Sequence, residues 1–136
     1  MISRAQIIEQ INIDLSFDAE IRCACHSIIE YIFSSNRESL KHIAFFKIKT
    51  VINTNNDSTV IKTMRYLSGE SLPIFDICFE FIDGEYIEQI NLDLLISSQS
   101  ENKFYHPETG ELVDNFESKI FMYFSLSNYG FELECN

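Results

Sequence analysis

Apolar residues recur at helical spacing through the first half of the chain and at every second position in part of the second half. Ser3 is placed to cap a short helix with Ile7, Ile8, Ile11 and Leu15 on one side. Residues 15–18 read as a turn. A second helix follows, with Ile21, Cys25, Ile28, Ile29 and Ile32 on its apolar face and Glu20, Arg22, Ser27 and Glu30 opposite, ending near residues 34–36. Residues 39–52 carry two patterns. Leu40, Ile43, Ala44 and Val51 suit a helix capped by Ser39, whereas residues 46–49 alternate as a strand does; the helix is the reading taken. Residues 53–57, Asn-Thr-Asn-Asn-Asp, break the pattern, because short polar side chains bond their own turn backbone. Asp57 or Ser58 then caps a helix through Leu67, with Val60, Ile61, Met64 and Leu67 inside and Gly69 in the left-handed position that ends it.

Beyond Gly69 the period changes. Phe75, Ile77, Phe79 and Phe81 alternate with Asp76, Cys78 and Glu80, the signature of a half-buried strand. Asp83-Gly84 predicts a two-residue hairpin turn, with residues 85–90 returning as the partner strand. Asn91 or Asp93 starts a short helix over Leu94, Leu95 and Ile96, and residues 97–102 read as a polar linker. Residues 106–111, His-Pro-Glu-Thr-Gly-Glu, form a turn. Residues 120–126 are apolar on both faces and read as an interior strand, and residues 131–134 as an edge strand. The fold class is α+β: three or four helices, then a small antiparallel sheet. Helix, turn, helix and hairpin is also the order of a winged helix, an analogy of architecture only. The chain reads as a single domain of 136 residues, with residues 1–68 mainly helical and residues 69–136 acidic and strand-rich.

Charge sharpens that division. Residues 1–68 hold eight Lys/Arg and seven Asp/Glu, a net of +1; residues 69–136 hold two Lys and fourteen Asp/Glu, a net of −12. Such an excess repels nucleic acid and anionic membrane and attracts basic surfaces. Apolar residues make up 46% of the chain, a globular rather than a disordered composition. No run approaches the ~18 apolar residues of a membrane span, and the charged N-terminal segment does not read as a secretory leader. The four cysteines lack the spacing of a disulfide framework, so a reducing, cytoplasmic setting is expected, in which the glycosylation pattern at Asn56 is idle.

No catalytic set emerges, and no cofactor or metal is expected. Cys23, Cys25 and His26 are the densest group of soft ligands, but on a helix residues 23 and 25 project about 200° apart, so both cannot face one metal. His42, Cys78, His106 and Cys135 are scattered singly. Cys78, on the more polar face of its strand, is the candidate exposed thiol. The glycines at 69, 84, 110 and 130 are too dispersed for a phosphate loop, and no serine sits in a nucleophile elbow.

The expected function is therefore non-enzymatic. The leading expectation is an acidic protein-binding module of the inhibitor, immunity-protein or antitoxin type, masking a basic surface of a partner, such as one that binds nucleic acid. Asp76, Glu80, Asp83, Glu85, Glu88, Glu108, Glu111 and Asp114 would form its contact surface, with Tyr86 and Tyr105 as aromatic anchors. The first alternative is a winged-helix-like DNA-binding regulator using Lys47, Lys49, Lys62 and Arg65. The second is an accessory subunit or adaptor of a larger complex. Contact between the basic and acidic halves of two copies would give a homo-oligomer.

Overall fold

The computed structural model describes residues 2–133. In chain order these form helix α1 (Arg4–Asp14), α2 (Ala19–Phe33), a 3₁₀ turn (Arg37–Leu40), strand β1 (Ile43–Ala44), α3 (Phe45–Ile52), α4 (Asp57–Tyr66), β2 (Phe75–Asp83), β3 (Tyr86–Ile90), α5 (Leu92–Glu101), a second 3₁₀ turn (Phe116–Lys119), β4 (Ile120–Leu126) and α6 (Asn128–Phe131). The class is α+β, with a four-stranded sheet of order β1-β4-β2-β3. The chain falls into two compact units. One holds the described residues up to Ile77 and from Phe124 onward; the other is Cys78–Tyr123.

The first unit is built on α2, which packs against α1, α3 and α4. Its buried residues Ile21, Ala24, Cys25, Ile28, Ile29 and Ile32 follow the helical period, and Asp18 caps it by accepting from the Ile21 N–H at 3.1 Å. Ser3 and Gln6 close a capping box on α1. Asp14, at the end of α1, accepts from the Tyr66 hydroxyl at 2.6 Å, Ser71 at 2.9 Å and Gln10 at 2.8 Å. The Tyr66 bond foremost, with those from Ser71 and Gln10, holds the Asp14 carboxyl below its ordinary range, against the opposing pull of burial. A depressed carboxyl contributes stability above its unfolded pKa and loses it as pH falls through the folded value. Asp14→Asn is therefore expected to cost about 1–2 kcal/mol at neutral pH. That deficit should shrink in acid below ~3.9, as read from urea midpoints at the two pH values.

Several local expectations are corrected here. Residues 39–52 are not one helix. Asn36 caps a 3₁₀ turn, Ile43–Ala44 goes extended beside β4, and α3 starts only at Phe45, so Ser39 caps nothing. Strand pairing and the burial of Ile43 outweigh a local helical preference that was weak. α4 is capped by Asn56, whose side chain accepts from the Ser58 N–H at 2.9 Å, rather than by Asp57 or Ser58. Gly69 is not left-handed; positive φ occurs at Asn53, Asn102, Asn115, Gly84 and Gly110. Ile61, expected inside, is 38% exposed.

The expected edge strand over residues 131–134 also gives way, with Glu134 outside the described residues. Ser127 instead caps the single turn α6, accepting from the Gly130 N–H and donating to the Pro73 and Ile74 carbonyls at 2.6 and 2.8 Å. The Arg37 guanidinium then donates to the carbonyls of Phe131 and Leu133 at 2.7 and 2.6 Å. A Cβ on Gly130 would lie 2.5 Å from the Ile74 carbonyl oxygen and 2.5 Å from Leu126 Cδ1. Since that carbonyl is held in place by Ser127, Gly130→Ala is expected to cost about 1–3 kcal/mol, measurable as a lowered urea midpoint.

The second unit is a hairpin, a helix and a folded return. β2 and β3 pair antiparallel, from Asp83↔Tyr86 back to Phe79↔Ile90. The two loop residues are thus Gly84 and Glu85, one step beyond the expected Asp83-Gly84, with positive φ at Gly84 alone, the II′ arrangement. Asn91 caps α5 by accepting from the Leu94 N–H at 2.7 Å. The helix runs on through the expected linker to Glu101, because Ser98 is buried one turn beyond Leu95 and ties that polar stretch to the unit. Phe81, Ile90, Leu95, Phe104 and Phe116 form the buried cluster, with Phe79, Tyr86, Val113 and Ile120 against it.

Candidate functional site

The acid is concentrated in the second unit. Its 46 residues hold ten Asp/Glu against two Lys, a net of −8. Asp83 is paired in place with Lys119, whose Nζ lies 3.2 Å from one carboxylate oxygen, and His106 Nε2 stands 3.9 Å from the other, beyond hydrogen-bond distance. Glu85, Glu108, Glu111 and Asp114 are exposed and form no ion pair with a described residue. Glu88 is exposed and accepts from the Tyr86 hydroxyl at 3.0 Å. Glu80 is half-buried on the strand face it shares with Cys78, while Asp76 belongs to the first unit.

Turn chemistry positions this acid. The His106 N–H donates to the Glu111 carbonyl at 2.8 Å, the Gly110 N–H returns to the His106 carbonyl at 2.8 Å, and Tyr105 bridges Leu112. His106 Nδ1 accepts from the Glu108 and Thr109 amides at 3.1 and 3.3 Å, which fixes the ring's orientation in the turn. That ring lies 4.6 Å from Tyr86 and 5.3 Å from Phe81, centroid to centroid. Tyr86 is therefore half-buried and engaged in the unit's own aromatic stack rather than free. Its hydroxyl is pushed upward by burial first, then by Glu88 and by the charge of Glu108. Tyr105, 57% exposed, remains available as an anchor.

An apolar component was missed from sequence. Ile87, Leu92, Leu94, Ile96, Leu112 and Phe121, all in this unit, are exposed. Leu94 and Ile96 flank Leu95 on α5, and of the three only Leu95 is buried. The signal was present: four apolar residues within residues 92–96 encircle a helix, and one packed face buries only part of such a ring.

The remaining candidate chemistry does not assemble in the same way. Cys25 is buried, and burial pushes its thiol up to about 12. The exposed thiol is Cys23 rather than Cys78, which lies half-buried beside Tyr123. Cys135 lies outside the described residues. No group of three His, Cys, Asp or Glu among the described residues is arranged to hold a metal ion. A concavity of about 880 Å³ in the first unit mixes Glu38, Lys41, Asp76 and Glu132 with Ser127, whose hydroxyl is committed to backbone carbonyls. Of the basic residues, Lys49 pairs with Asp57 at 2.9 Å and Lys47 stands 5.6 Å over the Tyr31 ring, while Lys62 and Arg65 are exposed on α4. Comparison with protein-family models, curated proteins and solved structures returned no match. No helix among the described residues is long and apolar enough to cross a membrane.

Proposed function

We propose that the chain is a non-enzymatic protein-binding module whose acidic unit, Cys78–Tyr123, masks a basic surface of a partner protein, in the manner of an inhibitor, immunity protein or antitoxin. One observation carries this reading: exposed acids without ion-pair partners share a 46-residue unit with exposed aliphatic and aromatic side chains. Acid alone would serve solubility. Acid and apolar surface exposed on one small unit have the makings of a recognition face, in which charge steers the encounter and apolar contact sets the residence time. Glu85, Glu88, Glu108, Glu111 and Asp114 supply the field, and Tyr105 is the aromatic anchor. The test is the on-rate for a partner captured at low salt, measured across ionic strength. A steep fall with salt is expected, and an on-rate indifferent to salt would exclude this mode.

A second reading draws on the helix-turn-helix order of α3 and α4, with Lys62 and Arg65 exposed one turn apart on α4. In it the chain is a winged-helix-like DNA-binding regulator. Duplex titration at ~50 mM salt, where phosphate contacts are strongest, separates the two: binding there favours DNA, and its absence leaves the protein partner. In a role as accessory subunit of a larger complex, the basic and acidic halves would contact different neighbours.

A further inference from the structure

We infer that β3 is a docking edge for an extended, lysine- or arginine-bearing segment of a partner protein, which adds to the sheet as a further strand beyond β3. The inference rests on the acidic-recognition reading and specifies its contact. β3 stands at the end of the strand order, and Ile87, Glu88 and Gln89 are all exposed although successive residues point to opposite faces. Such exposure on both faces means that the edge itself is open.

The hairpin determines which backbone groups are available. In a two-residue turn the closing pair, here Asp83↔Tyr86, exchanges both ladder hydrogen bonds, and bonded and non-bonded pairs then alternate. Ile82↔Ile87 and Glu80↔Gln89 are accordingly non-bonded pairs, so Ile87 and Gln89 turn their N–H and C=O groups away from β2. No described residue hydrogen-bonds to those outward groups. They form a short template of the kind that captures extended peptides.

Charge selects the occupant. Natural edges are commonly blunted by lysine or proline; β3 has neither and carries Glu88, with Glu85 in the adjoining turn. A second copy pairing antiparallel along this edge would bring Glu85 and Glu88 of both chains together inside units of net charge −8, which is unfavourable. A basic strand meets the opposite situation. Residues of one parity would lie beside Glu88, and those of the other beside Ile87, which is 60% exposed. The preferred segment therefore alternates basic with apolar residues.

The probe is a short peptide alternating lysine with valine, compared with one of equal charge interrupted by prolines, each titrated against the full chain at low salt. The alternating peptide is expected to bind more tightly and to slow amide exchange at Ile87 and Gln89. Gln89→Pro removes one outward donor without touching the β2 ladder, a position that edge strands tolerate. It should weaken the alternating peptide about tenfold, while Gln89→Ala binds as the wild type does. Equal binding of both peptides would overturn the strand-addition inference and leave the acidic reading standing; binding of neither would overturn both. Were Gln89→Pro to fail to fold, unchanged exchange at Ile87 and Gln89 in the peptide-bound wild type would overturn the inference by itself. A wild-type dimer that Gln89→Ala preserves and Gln89→Pro dissolves would assign the edge to a second copy instead.

Discussion

Phe81→Ala is expected to cost about 3–5 kcal/mol and to abolish the ordered acidic surface. Phe81 is fully buried, its ring 4.8 Å from Phe104, 6.2 Å from Tyr86 and 5.3 Å from His106. It thus joins the hairpin, through Tyr86, to the chain that carries the His106 turn. The unit has five buried cluster residues and a net charge of −8, so a small apolar gain is set against self-repulsion. Removing the central ring leaves a cavity lined by Phe104, Tyr86 and His106 that the surrounding backbone cannot close. Near-UV dichroism and the urea midpoint would both report the loss, and Phe81→Leu should lose markedly less. A Phe81→Ala variant within about 1 kcal/mol of the wild type would mean that the aromatic stack does not hold this unit together.

The second large effect concerns charge. Replacing Glu85, Glu88, Glu108 and Glu111 together by glutamine removes four of the unit's ten acids while keeping side-chain size. The association rate with a basic partner is expected to fall about ten- to a hundredfold at low salt, with a flatter salt dependence. Dissociation should change less, because it is governed by desolvated contacts such as Tyr105 rather than by rim charge. Relief of self-repulsion should also raise the variant's own urea midpoint at low salt, a gain that disappears as salt screens the wild type. An unchanged on-rate would show that these four acids serve solubility and not recognition.

Much of the helical unit was legible from short-range physics. The Ser3 cap, the buried stripe of α2 and the break that follows Ile52 depend on groups within one or two turns of each other, and each was found where periodicity and capping put it, whereas the Asp18 cap lay inside what read only as a turn. The hairpin was found as well, displaced by one residue because Gly84 takes the first rather than the second central position of the turn. Residues 43–44 and 131–133 were misread because their conformation is decided by distant chain: β4 for the first pair, the Arg37 guanidinium for the carbonyls of Phe131 and Leu133. Local propensity contains neither partner.

The candidate surface divides along the same line. The sequence by itself determined the α+β class, the succession of a helical part by a strand-bearing part and the unequal distribution of charge, since these follow from composition and local period. Only the tertiary structure decided that Asp83 is paired with Lys119, that Tyr86 is half-buried against Phe81 and His106 while Tyr105 is exposed, and that Ile87 and Gln89 turn their backbone groups outward from an open edge. Each of these depends on which groups meet across long stretches of chain, and pairing of that kind is a property of the folded arrangement, not of any local window.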